Sequence, residues 1–218
     1  MRETLSHSLP YFDALPSDLQ SLLLDNALEK HFPKGTVICH GGGECIGLEI
    51  IRSGQVRVFI TSPNGGEITL YRLLGGDVCV MSAACMIKNL DFQINMEFEA
   101  DSVVSIIPTR VYQMLSDASP LAKDFTLELV SSRFSDVMWI FGQFVFSNMA
   151  HRLAECLLEH RTLAKSDHLT ITHDQLARDL GSAREVVSRL LKQFQLDGLV
   201  ALSRGAITIL DIQRLGGI

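Results

Sequence analysis

The chain has 218 residues, long enough for one large domain or for two smaller ones that each bury a core. No apolar run approaches the length of a membrane span and no charged-then-apolar leader opens the chain, which predicts a soluble, cytoplasmic protein with no membrane partner. The five cysteines are odd in number, irregularly spaced and without a CxxC pair, so neither a disulfide framework nor a zinc ribbon is indicated.

The formal charge of −6 is unevenly spread: from Ser147 onward there are nine basic and eight acidic residues, leaving ten against seventeen before it. The acidity lies in the first part of the chain. A near-neutral second part can still hold a local basic face, with phosphate attraction from few residues.

Residues 5–32 are read as short helices, with Leu15, Leu19, Leu22 and Leu23 at helical spacing after Pro16-Ser17-Asp18, forming a cover for the β-rich stretch after them. From Phe32 to about Pro108 the pattern changes to short β-prone runs, such as 36–39, 48–51, 55–61, 68–73 and 103–107. Gly41-Gly42-Gly43, Ser53-Gly54, Asn64-Gly65-Gly66 and Gly75-Gly76-Asp77 punctuate them at intervals typical of a double-sheet jelly roll.

Residues 117–161 read as a long helix or a pair of helices. Leu127, Val130, Phe134, Val137, Phe141 and Phe144 alternate by three and four, a heptad seam that needs a partner helix. A second copy of the chain is that partner; a helix laid on its own β domain is the alternative. Ser147-Asn148 ends the seam as a hinge feeding a helix from Met149 to about Leu163.

Residues 169–210 carry the grammar of a helix-turn-helix followed by a β-hairpin. Thr172 stands three before Gln175, flanked by Ile171 and Leu176, which is a capping box with a staple, so a helix opens at about His173 and stops at Gly181. Ser182 with Glu185 forms a second box for a helix that begins at once. Val187, Leu190, Leu191 and Phe194 make its buried stripe. Its other face carries Arg184, Glu185, Ser188 and Arg189, where a recognition helix presents side chains to base edges. Residues 199–202 and 206–210, joined by Ser203, Arg204 and Gly205, read as a hairpin wing.

No catalytic arrangement stands out, and no enzyme is expected. A metal enzyme on a jelly roll would need a histidine pair one residue apart and a later histidine; His40 stands alone with Glu44. His7, His31, His151, His160 and His168 read as ordinary polar or packing residues, and no metal site is expected.

GSAREVVSRLLKQFQLDGLV followed by RGAITI resembles the DNA-binding domain of the Crp/Fnr family of bacterial transcription regulators, with R-E-x-x-S-R as the specific match. PKGTVICHGGGE, EIIRSGQVRVFI and LLGGDVCV stand in the order of the family's effector domain. The resemblance implies an α+β chain: a jelly-roll (double-stranded β-helix, cyclic-nucleotide-binding-like) sensor over 1–116, a dimerisation helix over 117–146 and a winged helix-turn-helix domain over 147–218. It implies a homodimer binding double-stranded DNA at an inverted repeat with TGTGA-like half-sites, and RNA polymerase as a further partner. Arg184, Glu185, Ser188 and Arg189 would read bases, Thr172 and His173 would position the first helix on phosphates, Ser182 would be a further DNA contact, and Arg204 would meet the backbone from the wing.

Cyclic-nucleotide-binding members carry a Glu and an Arg-Ser pair after the GD turn. Here Met81 stands near the expected Glu and Asp91-Phe92 near the Arg-Ser pair, and no arginine falls between Arg72 and Arg110. The expectation is an apolar pocket of Met81, Ser82, Ala83, Ala84, Val137 and Met138 for an unidentified small-molecule effector other than cAMP, with the cofactor unknown. An Fnr-type cluster needs cysteines near the N-terminus, whereas the first is Cys39. Rival readings are a β-roll interaction protein that binds no DNA, and a thiol or metal redox sensor using Cys79 and Cys85, with Cys39 and Cys45 in the glycine-rich region.

Overall fold

The computed structural model describes residues 1–40, 47–62, 65–79 and 94–218. It forms two compact units, Met1–Ile60 with Leu70–Val137, and Thr61–Thr69 with Met138–Ile218. None of the described helices is long and apolar enough to cross a membrane.

Two antiparallel four-stranded sheets supply the core of the N-terminal unit. One runs β1 (Leu28–Phe32), β8 (Ser102–Ile107), β3 (Leu48–Ser53), β6 (Val78–Cys79); the other runs β2 (Val37–His40), β7 (Ile94–Phe98), β4 (Gln55–Thr61), β5 (Glu67–Leu74). Because side chains alternate across a strand, Ile51 enters the core between the sheets with Val56, Val58, Met96, Phe98, Val104 and Ile106. Leu48 and Ile50 turn to the opposite face, against Leu5, Leu23, Tyr112 and Leu115 of the covering helices and against Leu9 and Phe12 in the connection between the first two. Those helices are α1 (Arg2–Ser8), α2 (Ser17–Asn26) and α3 (Thr109–Ala118). With both faces covered, β3 is buried at four successive positions from Leu48, which is why it reads as a continuous apolar run.

The clearest differences from the sequence reading lie at the two ends of the β region. Leu28–Phe32 is a strand, not a helix end: it pairs with β8 along the sheet edge, and four of its five residues are exposed, so it lacks the alternation that marks a strand. Helix α3, which follows Pro108, fills a stretch for which no element was expected; Val111, Tyr112 and Leu115 form its buried side.

Helix α4 (Pro120–Phe146) follows, and it stops where Ser147-Asn148 was read as a hinge. Phe125, Leu129 and Val130 pack against the N-terminal core, so the first turns do cover their own domain. Leu127, Phe134 and Phe141, seven residues apart, are 66%, 66% and 60% exposed, and Met138 on the same stripe is 47% exposed.

In the C-terminal unit, Asn148 caps α5 (Met149–Ala164) by accepting from the His151 N–H. After β9 (His168–Leu169) come α6 (His173–Leu180), α7 (Arg184–Leu196), β10 (Val200–Ser203), β11 (Ala206–Ile209) and α8 (Ile212–Leu215). The expected wing hairpin is present, and β9 extends it to a three-stranded sheet ordered β10, β11, β9. Leu153, Leu157, Leu176, Leu180, Val187, Leu191, Phe194 and Ile207 belong to one core that holds helices and wing together.

Candidate nucleic-acid interface

The surface that presents α7 is set up by the end of α6. The Thr172 hydroxyl accepts from the Gln175 N–H at 3.2 Å and Gln175 Oε1 accepts from the Thr172 N–H at 2.8 Å, which is the capping box read from the sequence. Gly181 closes the helix at φ 60°, a left-handed conformation that glycine adopts without a Cβ clash. The Ser182 N–H then reaches back to the Ala177 carbonyl at 2.9 Å and the Gly181 N–H to Arg178, the double closure of a Schellman turn. Ser182 therefore terminates α6 and does not cap α7. The expected Ser182/Glu185 box is absent: α7 starts at Arg184 with Ala183 as its N-cap and no side-chain cap bond.

Burial of Val187, Leu191 and Phe194 leaves the opposite side of α7 outward. There Arg184, Glu185, Ser188 and Arg189 line one open concavity of about 580 Å³, together with Lys192, Gln193 and Leu196. The last three extend the face beyond the sequence reading; Lys192 lies four and three residues beyond Ser188 and Arg189, so helical spacing alone puts it on the same side. Arg184, Glu185, Arg189 and Lys192 are exposed. Asp174 Oδ1 lies 3.7 Å from Arg184 Nε; both side chains are more than 60% exposed, so this solvated pair leaves the guanidinium available.

His173 links the two helices: its Nδ1 lies 2.8 Å from the Ser188 Oγ. Partial burial, and then the Arg184 guanidinium, hold its imidazole below the usual histidine range, against the opposing pull of Asp174. A neutral ring suits that hydrogen bond and keeps Ser188 oriented. Thr172 is exposed at the α6 N-terminus. Arg204 is exposed in the tight turn of the wing, next to Gly205 at φ 74°.

The expected effector residues Met81, Ser82, Ala83 and Ala84 lie outside the described residues, as do Cys45, Cys85 and Asp91-Phe92. Val137 is half-buried and Met138 exposed. Cys79 is fully buried, its Sγ 3.9 Å from the Met96 Sδ. The buried cations of the N-terminal unit are already engaged. Arg57 meets Glu97, its cross-strand partner, at 2.9 Å, and Arg72 bonds both carboxylate oxygens of Glu99 at 2.8 and 3.2 Å.

Residues 29–118 match the Cyclic nucleotide-binding domain and residues 151–218 the Crp-like helix-turn-helix domain. The chain matches the crystal structure of a transcriptional regulator of the Crp/Fnr family from Eubacterium rectale with a TM-score of 0.92. The two are 41% identical, and the match covers 96% of this chain and 97% of that one. The chain belongs to the Crp/Fnr family. Regulatory protein HlyX of Actinobacillus pleuropneumoniae is 28% identical over 196 residues, covering 85% of this chain and 80% of that protein. FixK2 of Bradyrhizobium japonicum, at 17% identity and a TM-score of 0.70 over 88% of this chain and 96% of its own, shares the fold. This Crp/Fnr chain is thus a helix-turn-helix transcription regulator with a jelly-roll N-terminal domain.

Proposed function

We propose that this Crp/Fnr regulator acts in the cytoplasm as a homodimer that reads an inverted repeat, under control of a small-molecule effector other than cAMP. The observation that carries the reading is the outward face of α7, with three exposed cations and one carboxylate converging on one groove. Arg184 and Arg189 can each offer a fork to guanine N7 and O6, and Glu185 can accept from the cytosine N4 amino group, so the face favours G·C pairs. Arg189 is assigned to the G of the TGA part of a TGTGA-like half-site. Thr172 and His173 position the first helix against phosphates, Ser182 is a further contact to DNA, and Arg204 meets the backbone from the wing.

The exposed row Leu127, Phe134, Met138 and Phe141 supports α4 as the dimer seam, because a row of large apolar side chains at heptad spacing is stable in water only when covered. In this reading residues 1–116 sense, 117–146 dimerise and 147–218 bind DNA, with RNA polymerase as the partner of the DNA-bound state. Engagement of Arg57 and Arg72 by Glu97 and Glu99 supports the exclusion of cAMP, since neither guanidinium stands open to a cyclic phosphate. The burial of Cys79 beside Met96 favours packing over redox sensing for that thiol.

Selection of bound sequences from a random DNA pool tests the reading. The expected result is a two-fold motif with half-site centres roughly 34–36 Å apart. Enrichment of no motif, or of one without two-fold symmetry, would contradict it. Calorimetry with cAMP should show no tight binding; a sub-micromolar dissociation constant would overturn the effector part alone.

A further inference from the structure

Helices α5 and α6 bring together three side chains that the DNA-reading surface does not use. Cys156 and His160 stand one turn apart on α5 and so share a face, and Asp179 is the penultimate residue of α6. The Cys156 Sγ, a ring nitrogen of His160 and a carboxylate oxygen of Asp179 all lie within 4.8 Å of one another. His160 Nε2 is 2.7 Å from Asp179 Oδ2, while Asp179 Oδ1 accepts from the Thr69 hydroxyl, a residue of the same unit, at 2.6 Å. The cluster is largely withdrawn from water: Cys156 is 7% exposed, and the side chains of His160 and Asp179 are 17% and 6% exposed.

We propose that Cys156, His160 and Asp179 bind a divalent transition-metal ion of the zinc class, joining α5 to the end of α6. One sulfur, one imidazole nitrogen and one carboxylate oxygen form a donor set that suits zinc or cobalt and disfavours magnesium or calcium, which take oxygen ligands. In a tetrahedral site these donor atoms stand about 3.3–3.6 Å apart, given metal–ligand lengths of about 2.0–2.3 Å. Binding thus requires the His160–Asp179 pair to open by roughly half an ångström, and the thiol lies within reach of the same centre. The ion takes the place of the proton between Nε2 and Oδ2; a neutral ring then carries its one proton on Nδ1 and a charged ring releases the extra proton to solvent, the thiol proton also leaves to solvent, and water completes the fourth position.

The consequence is local. Asp179 lies two residues before Gly181, so tying it to α5 fixes the end of α6 from which α7 departs. An ion held only by the folded unit raises that unit's stability by mass action.

Titration of the reduced, metal-stripped full-length protein with Co²⁺ alone tests the site. The expected result is one ion per chain, with a thiolate-to-cobalt charge-transfer band in the near ultraviolet and strong ligand-field bands in the visible. Cys156→Ser should abolish the charge-transfer band. His160→Gln and Asp179→Asn should weaken binding by about 100-fold or more, at least the upper end of what losing a supporting partner costs. Zn²⁺ should raise the melting temperature of wild type and leave that of Cys156→Ser unmoved, which separates a lost site from a misfolded variant. Absence of the band at excess Co²⁺, or an identical band and affinity in Cys156→Ser, would overturn the proposal: the first outcome makes the cluster an ordinary ion pair beside a thiol, the second places the ion on other cysteines.

Discussion

Arg57 and Arg72 of the N-terminal unit and the cations of α7 in the C-terminal unit are placed in opposite ways. In the N-terminal unit, Arg57 and Arg72 are almost fully buried and each is matched to a carboxylate across the sheet, while Glu49 is 1% exposed on the β3 face that also carries Ile51. In the C-terminal unit, Arg184, Arg189 and Lys192 stand exposed along one side of α7. A paired buried charge holds a fold in one register but offers nothing to a ligand. An exposed cation contributes little to stability and is free to meet a polyanion. Net charge alone misleads here, because it counts both kinds alike.

That contrast breaks most sharply at Arg72. Arg72→Leu removes one member of a buried pair and leaves the Glu99 carboxylate without its bidentate partner, so it should destabilise the N-terminal unit by about 3–5 kcal/mol. Urea unfolding would report it. A loss below about 1 kcal/mol would mean that the pair behaves as a surface one.

Glu49 sharpens the same point through pH. Burial pushes its carboxyl up to about 7, with Lys30 opposing. Between the unfolded value and about 7 the unfolded chain loses this proton while the folded chain keeps it. Stability from this group is therefore full at low pH and falls as pH rises through that window, by about 3 kcal/mol in all. Glu49→Gln cannot ionise and should remove this fall. Stability of wild type relative to the variant, followed by thermal melts from about pH 5 to 8, should decline with pH; a flat difference would put the carboxylate in contact with water.

The exposed row on α4 gives the next effect. Phe134→Glu places a charge in the proposed seam and should weaken the dimer by at least about 2 kcal/mol, the scale of a central interface aromatic. Sedimentation should show monomer at concentrations where wild type is dimeric. An unchanged dimer would move the interface away from α4.

How much of this was legible depended on whether the signal was local. Thr172, Gln175 and Gly181 act on backbone groups within a few residues, so the start and stop of α6 could be read directly. Ser182 matched a capping pattern equally well, but its N–H closes α6, and two local motifs competed for one residue. The edge strand at Leu28–Phe32 escaped because it buries almost nothing, and α3 because Pro108 was taken only as the end of the β region. The alternation of α4 was plain, yet only the structure separates Val130, packed on the core, from the exposed line through Leu127, Phe134 and Phe141. His160 looked ordinary because its partner Asp179 is nineteen residues away, a proximity that only packing creates.

The most direct test of base reading by α7 is the base preference of Arg189. Arg189→Ala leaves the buried stripe of α7 untouched and should cost roughly 1–3 kcal/mol of discrimination at one symmetric pair of positions. In parallel selections from a random DNA pool, wild type should enrich a motif with guanine at that position in each half-site, and the variant should lose that preference while keeping the rest of the motif. An unchanged motif in Arg189→Ala would contradict the claim that this face of α7 reads the bases.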